Sequence, residues 1–361
     1  MNTRTQPDYL VSPGDILAEH LDVRGFSQKQ FAQRCGYSEK HLSQLMTGKV
    51  SLTAEAAMKF EVVLGVPAKY WLDLEAQFKL DKLRLEGAVV SKEDVEWAKA
   101  FPIKEMVQFG WLPQSKGWDE KVVALLRFFS VTSPEGWELQ FASVKEAQCR
   151  RSAKKVPDLH ALSAWVQKLE NEARTAQLPR YSPATLAGSI LKIKKILENP
   201  KEDFWRQLEK TLGECGVFLS FAPHFPHTYL SGVTTWIADR PAIQLSLRYP
   251  FLDVVTFSLF HELAHVTLHK GKASRFVDFE DYGEDPLELQ ANNWASEKLI
   301  PSEEWQAFKT KPSTMTGTRI TVFAKKVGVH PGTVVGRLAH EELLSWRSPL
   351  FTQYRVRIQS S

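Results

Sequence analysis

The sequence has little cysteine, no long apolar run and no marked excess of either charge. Its 361 residues include three cysteines, Cys35, Cys149 and Cys215, widely spaced and without a Cys-x-x-Cys pair. An odd number of scattered thiols excludes a disulfide framework and suits a reducing compartment. The apolar runs at 56–64 and 253–260 fall well short of the ~18 residues of a membrane span, so no membrane association is expected. The N-terminal stretch MNTRTQPDYLVSPGD holds neither an apolar core nor a small-residue cleavage site. No export signal is therefore expected, and the cytoplasm is the expected location. Lys and Arg number 46 against 42 Asp and Glu, a formal charge of +4, too near neutrality to announce a nucleic-acid partner from the bulk alone. Material for burial is plentiful. Apolar residues make up 43%, with 21 Phe, 11 Trp and 8 Tyr, which excludes general disorder. At roughly 100–200 residues per domain, the length predicts two or three domains.

Local signals divide the chain into segments 1–87, 88–201 and 202–361. The first reads as five short helices. Pro13-Gly14 opens one over 13–22, Gly25 breaks it, and Ser27, Ser38 and Thr53 cap those at 28–35, 39–47 and 54–64. Pro67 begins the fifth. The Gly36-Tyr37 turn between the second and third completes a helix-turn-helix pattern. The middle segment carries mixed signals: strand-like pieces at 122–129 and 131–139, then helices at 159–176 and 181–197. Residues 141–201 hold twelve Lys and Arg against five Asp and Glu, a local net of +7. The last segment reads helix (204–215), strand (216–221), paired strands (232–237 and 242–246), and a long helix (253–269). An acidic loop (278–286), a helix (287–299) stopped at Pro301, and a helix–Gly328–helix element (320–344) follow.

The sharpest chemistry lies in His261-Glu262-Leu263-Ala264-His265. Two His at i and i+4 project from one helix face and can reach one metal ion. Glu262 follows the first of them and can act as general base on water there without itself being a ligand. A catalytic Zn2+ takes three protein ligands and keeps one position open, and Glu288, on the next helix, is the best third ligand. A helix carrying Val254, Val255, Phe257, Leu259 and Phe260 would bury these polar groups unpaired, at several kcal/mol, unless a metal satisfied them.

The run from Phe260 to His269, followed by Glu288-Leu289-Gln290-Ala291-Asn292-Asn293-Trp294-Ala295 and on to Pro301, resembles the ImmA/IrrE family of zinc metallopeptidases. The resemblance covers about 205–345, including Gly328-Val329-His330-Pro331. It departs mildly at Ala264, where Gly is common, and at Trp294, where Phe is common. It implies an α+β zincin-like domain in which His261, His265 and Glu288 hold Zn2+ and Glu262 is the base. It also implies a partner transcriptional repressor as protein substrate. His269, one turn beyond His265, reads as a neighbour of the ligands or as helix packing rather than a fourth ligand. His227, Tyr229 and Tyr282 are candidate oxyanion donors by residue type alone. Asp278, Asp281 and Glu284 are candidate orienting groups for a ligand His, or simply a solvated loop.

In the helix opened by Ser38, the outward residues Glu39, Lys40, Ser43 and Gln44 are placed to read base edges in a major groove. Gln44 suits adenine and Lys40 suits guanine or phosphate, while Gln28 and Lys49 are placed for phosphate. Against this, residues 1–90 hold eleven basic and eleven acidic side chains, so the segment has no overall electropositive footprint. Pro13-Gly14-Asp15-Ile16-Leu17, Ser27-Gln28, Phe31-Ala32, Gly48-Lys49, Thr53 to Ala57 and Tyr70 to Ala76 together resemble HigA-type antitoxins of the Xre class. That resemblance spans about 12–86. It implies a lambda-repressor-like all-α domain that binds double-stranded operator DNA as a homodimer and neutralises a cognate toxin.

The sequence thus predicts a multi-domain chain: an all-α helix-turn-helix domain, a mixed α/β middle region, and an α+β zincin-like metallopeptidase domain. Its expected function is transcriptional regulation joined to zinc-dependent endoproteolysis of a repressor or partner protein. The alternative is a non-enzymatic antitoxin whose peptidase-like half binds a toxin or senses a signal. The basic stretch, with Arg150, Arg151, Lys154 and Lys155, would extend the DNA footprint, bind an acidic partner, or form a solvated face. One acidic partner is on the chain itself: residues 251–310 carry a net of −6, from eleven acidic and five basic residues.

Overall fold

The computed structural model describes residues 10–85, 90–149, 157–225, 228–271, 275–279, 285–309 and 315–358. They form two compact units, residues 1–91 and 92–361.

The first unit is all helical among its described residues. Its helices are α1 (Pro13–Val23), α2 (Gln28–Cys35), α3 (Glu39–Met46), α4 (Ala54–Leu64) and α5 (Ala68–Leu85). Each of the first four starts where a hydroxyl can cap an orphan N–H: Ser12 accepts from Asp15, Ser27 from Gln30, Ser38 from His41 and Thr53 from Ala56. At Ser12 and Ser27 the third helical residue reciprocates, completing a capping box. Gly36, at φ 68°, takes the left-handed conformation that ends α2 and redirects the chain into α3. Leu17, Leu21, Phe31, Leu42, Leu45, Phe60 and Trp71 form the core of this unit. Burial pushes the Cys35 thiol up to about 11, so it serves as packing rather than as a nucleophile.

The second unit opens with α6 (Lys92–Lys99), α7 (Ile103–Gln108), α8 (Trp118–Phe129), α9 (Pro134–Cys149), α10 (Leu159–Thr175) and α11 (Pro183–Glu198). The expected mixed α/β character of the middle region is therefore corrected: its described residues contain no strand. The strand-like piece at 122–129 lies in α8, and that at 131–139 is the turn before α9 and its first six residues. The adjacent Val122-Val123 and Phe128-Phe129 pairs imitate a strand. The residues α8 buries, however, are Val122, Leu125 and Phe129, three and four apart, which is a helical period. Pro134 does not break a strand. It lies at the start of α9, where Ser133 accepts the Gly136 N–H.

The remaining elements are α12 (Phe204–Glu214), β1 (Phe218–Ala222), β2 (Leu230–Ile237), β3 (Arg240–Ser246), α13 (Leu252–Leu268), β4 (Arg275–Phe279), α14 (Pro286–Leu299), α15 (Ser302–Lys309), α16 (Gly317–Val327), α17 (Pro331–His340) and α18 (Pro349–Tyr354). The sheet has the order β1-β3-β2-β4, with β1 parallel to β3 and the other pairs antiparallel. β4 was not expected from the sequence, which gives 275–277 no element and starts an acidic loop at Asp278; Asp278 belongs to the strand and pairs in register with Gly232. Alternation along β3 sends Ile243 and Leu245 into the core built with α13, while Gln244 bonds the Trp165 carbonyl on α10. The sheet thus separates α10 from α13. α10 is buried over most of its length, and on its side of the sheet Lys168 bonds Ser220 (2.6 Å) and Glu172 (2.7 Å). Among the described residues, no helix is long and apolar enough to cross a membrane.

Candidate metal centre and outward helix-turn-helix face

Helix α13 is buried along nearly its whole length and packs against β2, β3, α14 and α17. That packing fixes the rotation of the helix and aims His261 and His265, one turn apart, at α14. α14 starts with Asp285 capping Leu287 N–H (2.8 Å) and Pro286 in the first turn. Glu288 therefore sits in that first turn, where the helix dipole favours a carboxylate. The small residues Ala291 and Ala295 let α13 and α14 approach closely.

These elements bring His261, His265 and Glu288 together. His261 Nε2 lies 3.0 Å from both His265 Nε2 and Glu288 Oε2, and His265 Nε2 is 3.4 Å from the same oxygen. All three side chains are buried. Three ligands of a tetrahedral Zn2+ at about 2.0–2.1 Å from the ion would stand about 3.3 Å apart. The donor set is two imidazoles and one carboxylate, so residues and spacing both fit such an ion. Burial pulls the His265 pKa below its ordinary value against the opposing pull of Glu288, favouring the neutral ring that a metal binds. Burial raises the Glu288 carboxyl, but when the facing His261 and His265 rings carry protons toward it they outweigh burial and hold the group at about 2.

Glu262 lies beside the triad, fully buried (0% exposed), and its carboxylate is held from β2. Thr234 Oγ1 donates to Glu262 Oε2 at 2.5 Å. Two residues earlier on the same face of the strand, Gly232 has no side chain, and a Cβ there would overlap the Glu262 carboxylate. Beyond the triad, Asn292 Oδ1 accepts from His261 Nδ1 at 2.9 Å, and in the neutral ring this leaves Nε2 to offer its lone pair to an ion. His269, also fully buried, contacts His265 Nδ1 (2.9 Å) through Nδ1 and Gln290 Oε1 (3.3 Å) through Nε2. It therefore stands behind His265, on the side away from Glu288. Sequence reasoning gave no role to Gly232, Thr234 or Asn292. An isolated Gly beside β-branched residues in a strand is the one signal that could have flagged a close approach at 232.

Among the other candidates, Tyr229 precedes β2 with φ 51°, and the Arg248 guanidinium lies 4.8 Å over its ring. His227, Asp281, Tyr282 and Glu284 lie outside the described residues, as do Arg150, Arg151, Lys154 and Lys155.

In the first unit, α3 buries Leu42 and Leu45 and turns Glu39, Lys40 and Ser43 outward, with Gln44 half-buried. Gln28, the first residue of α2, and Lys49, just past α3, are exposed, and the Lys49 N–H bonds the Gln44 carbonyl (2.9 Å). Ser38 is committed to its cap, and Glu39 lies 3.7 Å from Lys29.

Residues 19–71 match the helix-turn-helix family model, and residues 255–338 match that of the IrrE N-terminal-like domain. The first match contains the α2–turn–α3 element and the second contains the whole triad. The chain is also 40% identical over 68 residues to YddM, an uncharacterised HTH-type transcriptional regulator of Escherichia coli. That stretch is 19% of this chain and 72% of the relative.

Proposed function

The chain belongs to the HTH-type transcriptional regulators and carries a second, IrrE-like peptidase-family domain, and from that premise we propose that it is a zinc-dependent endopeptidase acting in transcriptional control. The reading rests on one observation: Glu262 is a fully buried carboxylate beside the triad, fixed by Thr234 and given room by Gly232. A purely structural metal site, or a toxin-binding platform without turnover, has no use for it.

His261, His265 and Glu288 would hold the ion, and Asn292 and His269 orient the two rings. When bound, Zn2+ would supply Lewis acidity toward the scissile carbonyl and a more acidic water. Glu262 takes the proton from the attacking water and delivers it to the leaving amine. Thr234 keeps the Glu262 carboxylate in one orientation through both transfers. The substrate is a repressor or another partner protein. In the first unit, Lys40, Ser43 and Gln44 read operator DNA from α3, and Gln28 and Lys49 hold phosphates, with two copies of the chain on a two-fold operator. The resemblance of the N-terminal landmarks to HigA-type antitoxins supports a role as an antitoxin, with a cognate toxin as a further partner.

Zinc-loaded wild type and Glu262→Gln are to be incubated with repressors and toxins encoded by neighbouring genes, and each alone, with products read by mass spectrometry. Cleavage by wild type only is the expected result. No cleavage by wild type, or equal cleavage by Glu262→Gln, sinks the enzymatic reading.

A further inference from the structure

A cleft of 540 Å³ opens beside the triad, with His261 and Asn292 in its wall. Its floor follows one face of α13 from His261 through Phe257 to Asp253. The eight helical rises from Asp253 to His261 correspond to about 12 Å, the reach of a long side chain or a short extended segment. Leu299 and Ile300 supply apolar wall. Three large aromatic side chains left partly in solvent converge there: Phe257 (37% exposed), Tyr249 (44%) and Trp346 (55%). Apolar surface gathered in a concave site gains free energy when an apolar group covers it.

Charge decides the kind of group. The formal charges lining the cleft cancel in pairs: Arg337 Nε is 3.1 Å from Glu341 Oε1, and Arg355 Nε is 3.9 Å from Asp253 Oδ1. Arg355 is further engaged by the Phe251 ring, 3.5 Å below its guanidinium. A charged side chain entering the cleft would lose water and meet no net charge of opposite sign in the lining. A large apolar side chain would meet matching walls.

We propose that this cleft is the specificity subsite of the peptidase, accepting a large aliphatic or aromatic side chain of the substrate next to the bond cut. The inference rests on the peptidase reading above, and it adds the class of residue selected and the side chain, Phe257, that selects it.

The test needs no turnover. Four hydroxamate probes differing only in one side chain (isobutyl, benzyl, carboxymethyl and 4-aminobutyl) are titrated into the zinc-loaded full chain by calorimetry, with bound zinc measured separately. The isobutyl and benzyl probes are expected to bind at least about ten-fold tighter than the charged pair. Phe257→Asp should abolish that preference while zinc content stays unchanged, and Trp346→Ala should weaken the apolar probes alone. Equal affinity across the four probes, tighter binding of a charged probe, or no binding by protein that holds zinc overturns the inference. None of these outcomes touches the Glu262→Gln comparison, so the two readings fail separately.

Discussion

Gly232 and Glu262 share one volume: the space a side chain on β2 would fill is taken by the carboxylate of the residue next to His261. Replacing Gly232 by Ala must push that carboxylate away, because its Cγ is also within 2.9 Å of the added Cβ and Thr234 tethers its far oxygen. Displacing a catalytic group by about 1 Å costs on the order of 100-fold in rate. Gly232→Ala should therefore lower kcat by about that factor while bound zinc, measured by mass spectrometry, stays at the wild-type level. A variant of unchanged kcat would show that the fit between the two residues has no catalytic role.

Removing the metal should loosen the second unit selectively. The triad holds three buried polar side chains within 3.4 Å of one another, and an ion that binds only the folded state adds stability by mass action. At free zinc about a thousand times its dissociation constant, that contribution is about 4 kcal/mol. Chelation should lower the melting temperature of the transition that includes residues 92–361, zinc should restore it, and Glu288→Ala should remove the response. A melting curve indifferent to zinc counts against a metal at this site.

In the first unit, binding and stability should separate by residue. Gln44→Ala is expected to lose about 1–3 kcal/mol of operator binding and to relax discrimination at one base pair. Lys49→Ala should weaken all DNA sequences alike and reduce the salt slope by about one. Ser38→Ala removes the cap of α3, so it should cost about 1 kcal/mol of stability with no DNA present. Footprinting across a salt series and thermal melts distinguish the three. A Gln44→Ala protein with wild-type specificity would remove α3 as the reading helix.

The parts of this structure legible in the sequence are those with local causes. Ser27, Ser38 and Thr53 announce helix starts through their hydroxyls, and Gly36 announces the turn between α2 and α3 through its φ. The i, i+4 spacing of His261 and His265 likewise places both rings on one face before any tertiary contact is known. What escaped depends on distant partners. β4 is a strand because β2 offers it an edge, and Gly232 matters because α13 carries Glu262 to it across thirty residues of chain. α8 escaped for a different reason: its β-branched and aromatic pairs favour a strand locally, whereas the core selects the helical period of Val122, Leu125 and Phe129.

The Asp253–Arg355 pair gives a stability effect whose dependence on pH can be signed. Burial holds the Asp253 carboxyl above its ordinary 3.8, and the charge of Arg355 opposes that shift only in part. A carboxyl raised in the folded state favours folding while protonated and loses that contribution as pH rises through its folded value. Arg355→Ala removes the compensating charge, so the raised value should climb further and the ionised carboxylate should become more costly to keep buried. The destabilisation of Arg355→Ala should thus grow with pH from about 4 to 7, reaching about 3 kcal/mol at neutrality. Loss of stacking on Phe251 adds a part that does not vary with pH. Adding Asp253→Asn to Arg355→Ala should remove the pH-dependent part alone, as read by urea denaturation at pH 4.5 and 7. If Arg355→Ala costs the same at both, the Asp253 carboxylate is not the group that Arg355 compensates.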